Sequence, residues 1–161
     1  MNAAEVRGRN QALDDLIADT MELLDPARLH ELERKPAGQE AWSAAMVLAH
    51  LGEFPCFFAG ELRRFLADPA APVGRTHEHP ERLAAVAAAR GRSYEELRAG
   101  VTSAAAELAV ALRELDDHHL AMTTNNRRYG PEPLTAFLDR YVIGHKQQHA
   151  DQLAPFRKEV P

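Results

Sequence analysis

The stretch GHKQQHADQL, residues 144–153, places His145 and His149 four positions apart in a segment of good helix formers. An α-helix turns about 100° per residue, so side chains at i and i+4 lie one above the other on the same face. Leu138 and Val142, which precede the pair, fall on that face as well. The two histidines therefore occupy positions at which the hydrophobic pattern requires core residues. We predict that they project into the interior of the protein.

The helix that carries this pair is predicted to run from about Leu134 to Leu153, with Pro155 just beyond its end. Several polar residues of the segment lie outside the apolar arc and should be on the solvent side of the helix: Asp139, Arg140, Lys146, Gln147 and Asp151.

Three further amphipathic helices are predicted upstream. The first runs from about Ala3 to Leu24, with Asn2 and Glu5 as its cap. The second starts at Ser43 and continues to about Leu66, with a kink at Pro55 because proline removes a backbone hydrogen bond. Its apolar stripe comprises Val47, Leu51, Phe54, Phe58, Leu62 and Phe65.

The third long helix begins at the Ser93–Glu96 capping box and ends near Leu115. A weaker helical piece, 81–89, precedes it, and the segments 68–80 and 116–133 are predicted to be irregular, with no strand. Four amphipathic helices joined by long connections indicate an all-α fold, a four-helix bundle with long crossover connections. We expect one domain over residues 1–161.

Composition excludes several classes of protein. The net charge of −5 provides no general attraction for nucleic acid or for anionic membranes. No apolar run approaches the roughly 18 residues of a membrane span, and the first residues lack the apolar core of a signal peptide, so a cytoplasmic location is expected. The single cysteine, Cys56, excludes an intrachain disulfide and a cysteine-based zinc site.

A third histidine, His50 in the second helix, lies on the flank of that helix's apolar stripe. If the second and fourth helices are neighbours, His50, His145 and His149 could bind one divalent metal, zinc or nickel. The alternative is a neutral, hydrogen-bonded group of core histidines. The residues between His145 and His149 are Lys-Gln-Gln, so the glutamate base of the HExxH metalloproteases is missing and a protease is not supported.

Other side chains are weaker candidates. Glu53 and Glu61 could each accept a hydrogen bond from the N–H of a metal-binding imidazole, or could simply be solvated. Tyr141 could orient a substrate or belong to the core. His77 and His79 form an H-x-H pair in a connection, either solvated or a lid over the site.

Two more groups have simple structural interpretations. His118 and His119 are predicted to cap the end of the third helix. Cys56 is predicted to be inert filling, and Trp42 to fix the loop that precedes the second helix.

The segment WSAAMVLAHLGEF, which opens the second helix, together with HKQQHADQL near the end, resembles the DinB/YfiT-like four-helix-bundle superfamily over nearly the whole chain. The resemblance implies the bundle fold and a three-histidine metal site made by His50, His145 and His149. It also implies reactions that in some members depend on a low-molecular-weight thiol such as mycothiol or bacillithiol, and a tendency to form homodimers.

Two functional hypotheses follow. The first is a metal-dependent enzyme, a hydrolase or a thiol-dependent transferase, acting on a small molecule whose identity the sequence does not specify. The second is a non-catalytic, dimeric metal-binding or stress-associated protein. An open three-histidine site favours the enzyme, because structural zinc sites are usually closed by four protein ligands. If the enzyme hypothesis holds, a pocket lined by the histidines, Tyr141 and phenylalanines of the second helix is expected.

Overall fold

The computed structural model describes residues 1–159. Within these residues the α-helices are α1 Ala3–Leu23, α2 Ala44–Leu51, α3 Phe54–Ala67, α4 Pro80–Ala88, α5 Tyr94–Arg113, α6 Asp117–Leu120, α7 Leu134–Leu138 and α8 His145–Leu153. Short strands are β1 Pro72–Val73, β2 Thr123–Asn126 and β3 Gly130–Pro133. In residues 1–159, no helix has both the length and the apolar character needed to cross a bilayer.

The long helices form a four-helix bundle with long crossover connections, as predicted. Helix α5 packs against α2 and α3, α1 packs against α5 and α8, and α2 contacts α8. This last contact brings the predicted site residues together. The core includes the whole predicted stripe of the second helix, with each side chain at most 1% exposed: Val47, Leu51, Phe54, Phe58, Leu62 and Phe65.

The helix starts follow from local hydrogen bonds. Asn2 and Glu5 form the predicted capping box of α1, and Ser93 and Glu96 form that of α5. The side chain of Ser43 accepts a hydrogen bond from the backbone N–H of Met46 at 3.2 Å. These three predicted starts are confirmed, because a side-chain acceptor there satisfies backbone N–H groups that have no partner within the helix.

The second predicted helix is interrupted, so the single kinked helix expected there is wrong in detail. Helices α2 and α3 are separated by Gly52 and Glu53, and Pro55 lies in the first turn of α3. Proline is tolerated in that turn because its missing N–H would have no intrahelical partner. A Cβ on Gly52 would lie 3.3 Å from the backbone of Gly100, so glycine allows α5 to approach closely at the break.

The prediction of no strands is also wrong. β1 pairs with β2 in parallel, and β2 pairs with β3 antiparallel in the register Thr123↔Pro133 to Asn126↔Gly130. Strands of two to four residues are too short to produce a recognisable period-two pattern. Their prolines lie in the outer strands β1 and β3, where a missing N–H is tolerated.

The two histidines predicted to cap the third helix belong to α6 instead, because α5 already ends at Arg113. The backbone N–H of His119 donates to the Asp116 carboxylate at 2.9 Å, and Asp116 N–H donates to His119 Nδ1 at 3.3 Å. His118 and His119 therefore lie at the start of α6 and not at the end of α5. The hydrogen bonds with Asp116 explain their position, and the dipole of α5 does not.

The fourth predicted helix contains a π-helical segment, Asp139–Gly144, between α7 and α8. A π turn holds one residue more than an α turn, so the residues that follow are displaced around the axis from their α-helical phase. Lys146, predicted to lie on the solvent side, is consequently 1% exposed and occupies a core position of α8. His145 and His149 lie beside it, on the flank that faces α2.

Candidate metal centre

Three imidazoles meet where α2 packs against α8. His50, His145 and His149 each offer a nitrogen to one point, and these three atoms lie within 4.8 Å of one another. The Nε2 atoms of His50 and His145 are 3.1 Å apart. Because the contributing helices pack together in the core, the structure brings together all three histidines selected from the sequence.

The three rings are neutral at physiological pH. Burial, followed by the charges of the neighbouring imidazoles, lowers the pKa of His145 to about 2 and that of His149 to about 3. Burial also lowers the pKa of His50. A neutral imidazole has one nitrogen lone pair, which is the form that binds a metal ion.

A carboxylate–guanidinium pair stands behind His50. The Nδ1 atom of His50 lies 3.5 Å from Oε2 of Glu53 and has no hydrogen-bond partner of normal geometry among residues 1–159. Arg75 donates two hydrogen bonds to that carboxylate, at 2.5 and 2.7 Å. Burial alone would raise the pKa of Glu53, but the nearby His50 ring and the hydrogen bonds and charge of Arg75 hold it at about 2. The negative charge of Glu53 therefore favours a proton on His50 Nδ1.

The other two rings have acceptors on the same side. His149 Nδ1 lies 2.9 Å from Oε1 of Gln152, whose amide donates in turn to Glu33 at 2.9 Å. The backbone carbonyl of Tyr141 faces the ring of His145 and partly offsets the fall in its pKa. From these partners we infer protonated Nδ1 and unprotonated Nε2 atoms, which leaves three lone pairs available in one region.

The geometry fits a zinc or nickel ion. Bonds of 2.0–2.1 Å in a tetrahedral arrangement separate neighbouring nitrogens by roughly 3.3 Å. The distance of 3.1 Å between His50 and His145 is close to that value, and the ligand atoms of all three histidines lie within 4.8 Å of one another. Neutral imidazoles are ligands that suit both metals.

Aromatic rings fix the imidazoles from the sides. Phe54 stacks on His145, with ring centres 4.4 Å apart, and Trp42 stacks on His149 at 5.7 Å. Trp42 also meets His50 edge-on at 5.6 Å. Trp42, interpreted from the sequence as a fixing point for a loop, is thus a wall of the candidate site.

A cavity of about 470 Å³ opens onto the histidines. Tyr141 and Phe58 contribute to its wall, as predicted from the sequence, and His77, predicted to be either solvated or part of a lid, lines it as well. His79 does not; its ring packs on Phe57 with centres 5.0 Å apart, at the start of α4. Of the H-x-H pair, His77 therefore lines the cavity, whereas His79 packs against α3. The sequence did not indicate other lining residues: Trp42, Arg75, Arg82, Arg128 and Gln152.

The remaining candidates differ in what they contact. Glu61 accepts hydrogen bonds from Gly74 N–H at 2.7 Å and from Arg127 at 2.6 Å, so it braces β1 and β2 and contacts none of the three histidines. The hydroxyl of Tyr141 lies 3.4 Å from the Asn126 amide, on the cavity wall. Burial and the neighbouring Glu107 raise the pKa of the Cys56 thiol to about 11, in agreement with an inert role.

Fold and site together define a helical-bundle protein with a candidate three-histidine metal centre beneath a cavity. The chain belongs to the family described as "Mycothiol maleylpyruvate isomerase N-terminal domain", whose model matches residues 11–143. The match includes His50 and ends just before His145. The resemblance to the DinB/YfiT-like superfamily is thereby confirmed.

Solved structures share the fold at low sequence identity. The mycothiol-dependent maleylpyruvate isomerase has a TM-score of 0.69 and 16% identity, with 99% of this chain and 62% of that one covered. This chain thus spans less than two thirds of that isomerase. YfiT from Bacillus subtilis, described as a probable metal-dependent hydrolase with an unusual four-helix bundle topology, has a TM-score of 0.72, 14% identity and coverages of 96% and 85%.

A further similar structure is the colibactin self-resistance protein ClbS in complex with double-stranded DNA, with a TM-score of 0.73, 11% identity and coverages of 99% and 98%. No curated protein matches the chain in sequence. At such identities the structural likeness establishes the fold alone.

Proposed function

We propose that His50, His145 and His149 hold one divalent transition metal, zinc or nickel, and that the protein is a metal-dependent enzyme. The proposed reaction is hydrolysis or thiol-dependent transfer. One observation carries the proposal: three neutral imidazoles converge at the base of a cavity that a small molecule can enter. A site meant only for structure or storage would have no need of that cavity, so the cavity favours the enzyme over the metal-binding alternative.

A divalent ion with three protein ligands leaves a position for an outside ligand and lowers the pKa of a water or thiol that occupies it. The chain supplies the rest. Glu53 and Arg75 hold the ring of His50, while Gln152 holds that of His149. The Tyr141 hydroxyl lies on the cavity wall, where it can donate a hydrogen bond to a substrate oxygen.

A small thiol is the proposed co-substrate for the transfer reaction. The support is the family, whose description names a mycothiol maleylpyruvate isomerase. The inert Cys56 offers no competing protein nucleophile, so a nucleophilic sulfur would have to enter with the ligand.

We further propose a small-molecule substrate, no role for nucleic acid, a single domain and a homodimer in solution. The net charge of −5 supports the exclusion of nucleic acid. Sedimentation at micromolar concentration should give twice the chain mass of 17.8 kDa. A monomer mass there would remove the dimer from the proposal.

Elemental analysis tests the metal centre. Wild-type protein should carry about one zinc or nickel per chain, and His149→Ala should lose most of it because two ligands hold an ion much more weakly than three. His118→Ala is the matched control, since His118 lies in α6 and should leave the content unchanged. Equal metal in the wild type and His149→Ala would contradict the assignment.

Cobalt substitution then tests the open position. Thiols and carboxylates that enter the cavity should change the visible spectrum of the cobalt protein, because its colour depends on the coordinated atoms. A spectrum that no such ligand alters, with cobalt still bound, would mean a closed centre and would favour the non-catalytic hypothesis.

A further inference from the structure

The cationic side chains around the cavity differ in whether a carboxylate of the protein pairs with them. Three of them have carboxylate partners, so their charges are compensated by the protein. These pairs are Arg75 with Glu53, Arg140 with Glu132, and Lys35 with Glu33. Arg82 and Arg128 also line the cavity but form no ion pair with a carboxylate within residues 1–159. Arg128 is exposed at the rim, so water and salt screen its charge.

Within residues 1–159, Arg82 is the lining cation that lacks a carboxylate partner and is also partly buried. It extends from α4 and is half-buried, and its guanidinium carbon lies 5.1 Å from the ring centre of Trp42. One of its nitrogens, Nη1, donates to the backbone carbonyl of His77 at 2.8 Å. The other N–H groups of Arg82 have no protein partner within residues 1–159. A guanidinium has five donors, so most of its capacity is free.

The same arginine is close to the candidate metal centre. Trp42, on which it lies, contacts both His149 and His50 through its ring. The positive charge of Arg82 also contributes to the lowered pKa of those two histidines. A cation in this place repels a divalent ion held by neutral ligands. An anion that lies between them would offset this repulsion.

We propose that Arg82 is a specificity-determining residue that selects ligands with an acidic group remote from the atom that meets the three histidines. The acidic group would receive two parallel hydrogen bonds from the planar guanidinium, a geometry that suits carboxylate and phosphate alike. The carbon chain of the ligand would lie along the face of Trp42. The position of the ligand's inner end depends on the proposed function, because it assumes a metal at the three histidines. The contact between the acidic group and Arg82 does not depend on that metal.

Matched ligand pairs test this contact. Butyrate and succinate have the same number of carbons but differ by the second carboxylate, and 3-phosphonopropionate replaces that carboxylate by a phosphonate. In the cobalt-loaded wild type we expect succinate to bind at least roughly tenfold more tightly than butyrate, as a charged hydrogen-bonded pair provides. The phosphonate arm shows which acidic group Arg82 prefers, and an advantage over butyrate for either one supports the proposal.

Substitution then assigns the advantage to one residue. Arg82→Met should remove the preference for the diacid and leave butyrate binding within about threefold. Arg82→Lys should retain part of it, because lysine keeps the charge but not the planar fork. Arg128→Met, the exposed rim control, should retain the preference, since screened charges contribute little. Thermal unfolding of each variant checks that the fold is intact, and Arg82→Gln serves if the methionine variant does not fold.

The outcomes are separable. Equal binding of butyrate, succinate and 3-phosphonopropionate by the wild type, or a preference for the doubly acidic ligands that survives Arg82→Met, would overturn the assignment even if the cobalt spectrum responds to every ligand. If the protein binds no metal, the proposed function fails independently. Calorimetric titration of the metal-free protein with succinate then decides the point: weaker binding by Arg82→Met supports the role of Arg82, and unchanged binding refutes it.

Discussion

Imidazoles that remain neutral far below their ordinary pKa make the metal-free protein sensitive to acid. The folded pKa values of His145 and His149 are about 2 and about 3, whereas an unperturbed imidazole titrates near 6.5. Below about pH 6.5 the unfolded chain therefore binds more protons than the folded protein does, and the free energy of unfolding decreases as the pH falls.

We expect the metal-free protein to lose up to about 2 kcal/mol per histidine in its free energy of unfolding between pH 7.5 and pH 5. Urea unfolding at pH 7.5, 6 and 5 measures the loss. His149→Gln, which keeps a polar side chain but does not titrate, should show a visibly smaller loss. A wild-type stability that does not change over this interval would contradict neutral, buried histidines.

Arg75 is expected to act on the metal through Glu53 and His50. Arg75→Met frees the Glu53 carboxylate from its two hydrogen bonds, so His50 loses its fixed orientation, and metal affinity should fall about 10- to 100-fold. Competition with a chromophoric chelator measures the change. The matched control is Arg127→Met, which removes a similar bond from Glu61.

The control variant should lower stability but leave metal affinity unchanged, because Glu61 contacts no histidine of the site. Equal affinity losses in both variants would mean that the effect is a general loss of packing. An unchanged affinity in Arg75→Met would remove Glu53 as a support of His50.

At the level of single residues, the sequence indicated the three histidines but not the residues around them. His145 and His149 were recognisable because i,i+4 spacing on an apolar face is a local pattern. Arg75 and Arg82 come from the connection after α3 and from α4. Their places over the site depend on how those segments cross the bundle, and one sequence carries no local signal for such a crossing.

Among the elements, the π-helical segment has the clearest consequence for the site. A Cβ on Gly144 would lie 3.0 Å from the carbonyl oxygen of Asp139, which is closer than ordinary contacts. Gly144→Ala should therefore strain the segment, lower the free energy of unfolding by about 1–3 kcal/mol and weaken metal binding by displacing His145. Denaturant unfolding and chelator competition measure the two effects.

Gly60→Ala is the matched control. Gly60 lies in α3, and an added Cβ there would meet nothing within 4 Å. Alanine at an exposed helical position should raise stability by about 0.5–1 kcal/mol. If Gly144→Ala behaves like Gly60→Ala, the π-helical segment does not depend on the glycine.

Helix boundaries were predicted correctly where nearby residues determine them. They were predicted wrongly where packing against another helix determines them. Capping boxes gave the starts of α1 and α5 because both partners are within three residues. The break between α2 and α3 occurs at Gly52, where α5 approaches, and not at Pro55 itself. The π turn also depends on packing between helices, because it places the buried Lys146 against α1.

Over the whole molecule, a buried ion pair joins the two ends of the chain. Lys146 on α8 donates to Asn10 at 2.6 Å and forms an ion pair with Asp14, both on α1. The Lys146 side chain is 1% exposed, and burial lowers the pKa of its ammonium group. This contact fixes the rotation of α8, and therefore the direction of the neighbouring histidines.

Lys146→Met should lower the free energy of unfolding by about 3 kcal/mol, because it leaves the Asp14 carboxylate nearly buried without its partner. Adding Asp14→Asn removes that charge and should recover a substantial part of the loss. Urea unfolding of the metal-free wild type, both single variants and the double variant gives the coupling. Additive losses would show that the two side chains do not interact energetically.

The contact between His50 and His145 joins residues 95 positions apart. An ion bound by both histidines would close that stretch into a ring, as a disulfide does, and the unfolded chain would lose conformational entropy. The chain-entropy model puts the gain for a loop of this size at about 4–5 kcal/mol. Unlike a disulfide, such a cross-link opens reversibly when a chelator removes the ion. Metal supply would then influence the stability of the folded protein as well as its chemistry.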